Sequence, residues 1–288
     1  MSGARPIAFA LLLLLSAAGC GQGPDEDAAA SQAATTAPDD APPAYEGHGL
    51  VLETRRGGPE LCLGTVLESL PPQCDGIPIE GWDWTAVEKE EEAGGTTWGQ
   101  FRVVGSYDGE TFTVHEAGPP GEPAAPSDSI GTPCPEPEGG WTATDPERAS
   151  REDVVETQHA VSREPDFAGL WVDYYSRPRA GSTEEDPGNI ILNVAFTGDL
   201  DRHEVELRNM WGGPLCLTRH EHTLKELNEI QREFPADDFD LETLWSDIDV
   251  VEGEVLIGVV AIDPETSERI HDRYGQGVKI LPALEPVD

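Results

Sequence analysis

The run Trp98-Gly-Gln-Phe-Arg-Val-Val-Gly-Ser-Tyr-Asp-Gly-Glu-Thr-Phe-Thr-Val114 carries the plainest structural signal in the chain. Phe101, Val103 and Tyr107 recur at the two-residue period that places side chains on one face of a strand. Asp108-Gly109 suits the positive φ angles of a type I′ turn, after which Phe112 and Val114 alternate with Thr111 and Thr113. A hairpin is predicted. Working outward, 50–52, 61–67 and 77–84 are further apolar or alternating runs, punctuated by Gly57-Gly-Pro59, Pro71-Pro72 and Gly94-Gly95. Four or five short strands in about 65 residues predict a small β-barrel-like, OB-like domain over 49–117.

Residues 118–144 are rich in Pro and Gly, contain Cys134, and read as a linker. Beyond it, 145–288 alternates helix and strand. A helix is expected over 146–161 and strands over 167–175 and 189–197, joined by the acidic turn 183–188. Asp199 and Asp201 can start a helix through Met210, with a strand over 215–219 next. Thr223-Leu-Lys-Glu226 is a capping box opening a helix to Phe234. A hairpin over 245–262 turns at Glu252-Gly253, Asp263-Pro264 caps a helix ending at Tyr274-Gly275, and 278–284 closes the sheet. This order predicts an α+β, mostly antiparallel region and is compatible with two copies of one unit.

The front of the chain addresses location. Arg5 precedes the apolar run 7–15, and Leu15-Ser-Ala-Ala-Gly-Cys20 follows it. The apolar run is shorter than the roughly 20 residues a spanning helix needs. The pattern resembles the lipobox of bacterial lipoproteins. That resemblance implies a signal peptide over 1–19, lipid on Cys20, membrane attachment through that lipid, and residence on the outer face of the cytoplasmic membrane. Residues 20–48 are mostly small, polar and acidic, too poor in apolar side chains for a core, and read as a disordered acidic tether.

Net charge is −38, and removal of the leader takes one arginine and no acid, leaving −39. Such a chain lacks the clustered Lys and Arg that phosphate backbones require, so nucleic acid is excluded as a partner. Cations, basic polypeptides and neutral ligands remain, including a protein partner in the cell envelope. Cys62, Cys74, Cys134 and Cys216 form an even set in an exported chain and imply two disulfides. Cys62 and Cys74 flank the Pro71-Pro72 turn of one β region, and Cys134 can staple the linker to Cys216. The expected pairing is therefore Cys62–Cys74 and Cys134–Cys216.

Phe167-Ala-Gly-Leu-Trp-Val-Asp173, Val194-Ala-Phe-Thr-Gly-Asp199, the step 219–227 and Arg273-Tyr-Gly275 together resemble the pro-regions of streptogrisin-type and α-lytic-type secreted serine proteases. That resemblance implies an α+β folding chaperone or inhibitor, although no Gly-Asp-Ser-Gly protease segment follows. Cys62-Leu-Gly64, Ser69-Leu-Pro-Pro-Gln-Cys74 and Gly81-Trp-Asp-Trp84 resemble a module of actinobacterial lipoproteins, implying location only.

Signatures of chemistry are sparse. There is no Gly-x-Ser-x-Gly elbow, phosphate loop or Gly-x-Gly-x-x-Gly fingerprint, and no cofactor is implied. His203-Glu-Val-Glu-Leu207 lacks a second histidine and reads as a solvated helix face. His220-Glu-His222 would place two imidazoles on one strand face, with His203 or a carboxylate as third ligand, which is the pattern a cryptic metal-dependent hydrolase would need. Asp237-Asp-Phe-Asp240 reads as an acidic loop. Trp82 and Trp84, at strand spacing, would form a stacking platform for a sugar ring or two core residues. The expectation is a non-catalytic, membrane-anchored envelope lipoprotein with a binding role.

Overall fold

A computed structural model describes residues 43–121, 131–174 and 190–287. The leader, Cys20, the tether as far as residue 42 and the acidic turn 183–188 lie outside the described residues. In the β region the strands are β1 (Ala44–Thr54), β2 (Pro59–Cys62), β3 (Ile77–Glu80), β4 (Glu91–Ala93), β5 (Thr96–Tyr107) and β6 (Phe112–Gly118). Antiparallel pairing joins β1 to β5 along all of β1, from Ala44 opposite Ser106 to Thr54 opposite Thr96. The other edge of β1 is shared. Leu50 to Glu53 face β2, and Ala44 to Gly47 face the last strand of the chain, which lies over Leu284–Val287. Strand β2 is antiparallel to β3, β3 parallel to β6, and β6 antiparallel to β5, so the pairing returns to β1. Ala44 to His48, expected in the tether, lie in β1 because distant residues of β5 and, for Ala44 to Gly47, of the last strand pair with them.

Buried Val51, Leu61, Ile77, Phe101, Val103 and Phe112 fill this sheet's core, and the same core takes in Val260 and Leu284 from the C-terminal third. Packing is thus continuous from the β region into the following one, and the described residues form one compact unit. The type I′ turn sits elsewhere than expected. Gly94 and Gly95 have φ of +62° and +85° and join Ala93 to Thr96, a conformation that glycine adopts without a Cβ clash. At Asp108-Gly109 only the glycine has positive φ. There the Asp108 carboxylate accepts from the backbone N–H groups of Glu110 and Thr111 at 3.0 and 2.8 Å, closing a four-residue loop between paired Tyr107 and Phe112.

The disulfides are Cys62–Cys74 and Cys134–Cys216, with Cα atoms 5.9 and 5.7 Å apart, as the sequence pairing anticipates. Their sequence separations of 12 and 82 residues correspond to about 3 and about 4.5 kcal/mol of loop-closure stabilisation.

The rest of the chain builds one unit twice. The first copy is α1 (Arg151–Val161), β7 (Phe167–Tyr174), β8 (Ile190–Phe196), α2 (Leu200–Arg208) and β9 (Leu215–Arg219). The second is α3 (Leu224–Glu233), β10 (Thr243–Asp249), β11 (Glu254–Val259), α4 (Pro264–Tyr274) and β12 (Val278–Pro282). In each copy the first two strands are antiparallel and a helix crosses over to a parallel third strand. The registers coincide: Leu192 pairs with Leu215 and Val255 with Val278, so both partners advance by 63 residues (192 to 255, 215 to 278). Register irregularities recur at equivalent places, between Phe167 and Gly169 and between Thr243 and Trp245. Even the caps repeat. Ser150 with Asp153 and Thr223 with Glu226 both form reciprocal capping boxes. The remaining chain, expected to close this sheet as one strand over 278–284, splits at Ala283 into β12 and β13 (Leu284–Val287), and β13 crosses to β1.

Candidate functional site

The second copy ends α3 at Phe234, and Pro235 then enters a 3₁₀ turn over Ala236–Phe239 in place of the expected plain loop. The turn buries Phe239, stops at Asp240 in the left-handed region, and delivers Glu242 immediately before β10. Opposite stands Tyr107, at the end of β5. Its hydroxyl lies 2.9 Å from both the Glu242 carboxylate and the Gly109 carbonyl, and its single proton can be donated to either. Two adjoining clefts of about 380 and 470 Å³ open here, sharing Tyr107, Gly109, Asp237, Asp240, Leu241 and Ala261.

Electrostatics in the cleft are one-sided. Asp237, Asp238, Asp240, Glu242 and Asp263 line it, and Arg269 is the cationic lining residue. Arg269 is already engaged: its guanidinium donates to the Asp238 carbonyl at 3.2 Å and lies 5.3 Å from the centre of the Phe239 ring. Burial, and then the hydrogen bond and charge of Glu242, push the Tyr107 hydroxyl above its ordinary pKa, so it stays protonated as a donor. What the cleft offers an incoming group is a row of carboxylate acceptors beside aromatic and apolar surface. Nothing in it is arranged as a nucleophile with its base.

The residues singled out from sequence fall elsewhere. Trp82 and Trp84 do not share a strand face, because β3 ends at Glu80 and Trp84 opens a 3₁₀ turn capped by the Asp83 side chain. Their rings meet edge to face, 5.3 Å apart at 80°, and both set edges toward Phe101. The Trp84 indole donates to Glu53 at 2.5 Å. Half-buried against the core, they form no flat platform. His220 and His222 also miss the shared strand face, since β9 ends at Arg219. His220 packs on the β10–β11 turn at Gly253, where a Cβ would meet its ring, while His222 lies beside Gly277 and Glu226. Among the described residues neither belongs to a group of three ligand-bearing side chains.

His203 departs most from its expected solvated helix face. It is 1 % exposed, stacked on Phe196 at 3.5 Å between ring centroids, with its Nε2 2.8 Å from Asp166. The signal was its spacing of four from Leu207, which places both on the buried stripe of α2. The two sites are related. Advancing β7 onto β10 by 76 residues (167 to 243) carries Glu164 and Asp166 onto Asp240 and Glu242. The Asp166 carbonyl accepts from Thr197 N–H as the Glu242 carbonyl accepts from Val260 N–H, at 2.9 and 3.0 Å. No protein-family model matches the chain, and no curated protein does.

Proposed function

We propose that this chain is a non-catalytic, lipid-anchored binding module on the outer face of the cytoplasmic membrane, which receives a basic segment of an envelope protein in the Tyr107–Glu242 cleft. The observation that carries the reading is the excess of lining carboxylates: Arg269 is already engaged, Asp238 has Arg273 at 3.7 Å and Asp263 caps α4, which leaves Asp237, Asp240 and Glu242 with no cationic partner among the described residues. A lysine- or arginine-rich segment supplies the missing charge, and at −39 the mature chain steers such a partner toward itself. Anchoring rests on the lipobox-like run ending at Cys20. A single acyl chain holds a protein marginally at about 0.8 kcal/mol per methylene, so a multiply acylated Cys20 keeps a strongly acidic chain at an anionic surface that repels it.

The β region is read as an OB-like barrel. The pairing order β1-β2-β3-β6-β5 and back to β1, with β3 and β6 parallel, supports that reading. Loops at one end of such barrels commonly contact ligands, and the Asp108 to Thr111 loop lies at the cleft. A second reading, a chaperone or inhibitor of a secreted serine protease, is favoured by the residues that resemble protease pro-regions, which span both copies of the repeated unit.

One experiment addresses both. The Cys20→Ser chain is expected in the soluble fraction and, immobilised, should capture a basic envelope protein that the same chain carrying Asp240→Asn and Glu242→Gln does not. Capture of a streptogrisin-like protease would favour the second reading, and capture indifferent to the two substitutions would overturn the cleft as the site.

A further inference from the structure

The first repeat holds, at the place equivalent to the cleft, a side-chain group of different chemistry. Glu164, Asp166 and His203 bring one ligand atom each to within 4.8 Å of one another, the one such group of three among the described residues. Glu164 and Asp166 come from the tight turn between α1 and β7, which is pinned by Glu164 N–H on the Val161 carbonyl and Phe167 N–H on the Glu164 carbonyl. His203 comes from α2 and cannot drift, being buried and stacked on Phe196.

Packing alone does not call for an imidazole here. The 63-residue advance that superposes the two registers carries His203 onto Thr266, also buried, so the same helix position accepts a much smaller side chain in the second copy. Nor does hydrogen bonding settle the group. His203 Nε2 is 2.8 Å from both the Asp166 carboxylate and the Arg202 guanidinium. If Nε2 carries the proton it donates to Asp166 but abuts the Arg202 donor; if it does not, it accepts from Arg202 while its lone pair faces a carboxylate oxygen. The other Asp166 oxygen is buried without a partner.

Charge points the same way. Glu164, Asp166, Asp199 and Glu206 surround a single guanidinium, Arg202, which is 3.6 Å from the first three and 3.0 Å from Glu206. Arg202 is 40 % exposed and already on Glu206, so it can leave the group without being buried unpaired. A cavity of about 300 Å³ is lined by Glu164 and His203, two of the three residues, together with Glu206 and Met210.

We propose that Glu164, Asp166 and His203 bind a divalent transition-metal ion of the Zn²⁺ type. Two carboxylates and one neutral imidazole are a ligand set such ions accept, leaving a position open to water or a ligand. A bound cation would take the place of the proton between His203 Nε2 and the Asp166 carboxylate, which lie 2.8 Å apart. Glu206 lies 3.8 Å from His203 Nδ1, beyond hydrogen-bond distance, so a shift of its side chain would be needed for it to hold the tautomer that frees Nε2.

The test is a calorimetric titration of the chelator-treated soluble chain with Zn²⁺, with bound metal counted by elemental analysis. One ion per chain is expected, with affinity at least tenfold weaker in Glu164→Gln and in His203→Gln, stronger in Arg202→Gln, and unchanged in the His220→Ala, His222→Ala double variant. Glu164 is partly exposed and its ion pair among the described residues is at 3.6 Å, so Glu164→Gln stays folded even where a His203 variant does not. Absence of saturable binding at millimolar Zn²⁺ overturns the proposal, as does binding that survives Glu164→Gln unaltered or is lost with His220 and His222.

Discussion

His220 shows how much a single side chain's setting matters. Burial is the largest influence on its pKa and lowers it, against the raising effects of the Val251 backbone, Glu252 and Asp249. The folded protein therefore favours the neutral ring. As pH falls through the ordinary histidine value of about 6.5, the unfolded chain takes up a proton that the native state refuses, so stability declines from about pH 7 downward until the folded pKa is passed. The expected outcome is that the melting temperature of wild type falls relative to that of His220→Asn between about pH 7 and pH 5; parallel curves would show that His220 is solvated. Asp166 runs the other way. Burial opposes its charge, yet the hydrogen bond and attraction of His203, with Arg202, hold its carboxyl below the ordinary range, so its contribution is complete above that range and is lost only at acid pH. Neither setting was legible in sequence. The acids around His203 suggested solvent, and only its four-residue spacing from Leu207 hinted at burial.

At the scale of elements, the helix starts marked by capping residues are where the structure has them. Strand 215–219 stands where it was expected, and the helices opened by Thr223 and Asp263 start where their caps put them, because each of those starts is set by a hydrogen bond between residues three apart. Thr223→Ala removes the hydroxyl that accepts from Glu226 N–H at 3.2 Å and is expected to cost about 1 kcal/mol in denaturant unfolding. Ser150→Ala should cost the same, as the equivalent cap of the first copy. A loss confined to one would mean that the two helices are not used alike. The errors are of another kind. The start of β1 at Ala44 and the separation of β13 from β12 depend on pairing between the two ends of the chain, which no window of sequence contains. The type I′ turn was assigned to Asp108-Gly109, whereas the Asp108 side chain captures two backbone donors and builds a longer loop. The duplication was legible only as an order of elements, since what the copies share is register, bulge and caps, not a run of identical residues.

Across the whole molecule, the proposed envelope location rests on the lipobox-like run and agrees with the two disulfides, and the cleft supplies a place where the strong negative charge is concentrated against aromatic surface. The two copies carry the same pair of acidic positions to different ends, Asp240 and Glu242 to the cleft beside Tyr107, Glu164 and Asp166 to a buried histidine. The measurement that tests the central claim most directly is photo-crosslinking in intact cells from residue 237, an exposed cleft position, compared with residue 155, an exposed apolar residue on α1. The account predicts a discrete adduct with a basic envelope protein from position 237, absent from position 155 and lost when Asp240→Asn and Glu242→Gln are added. Equal adducts from both positions, or an adduct from 237 that is untouched by those substitutions, would contradict it.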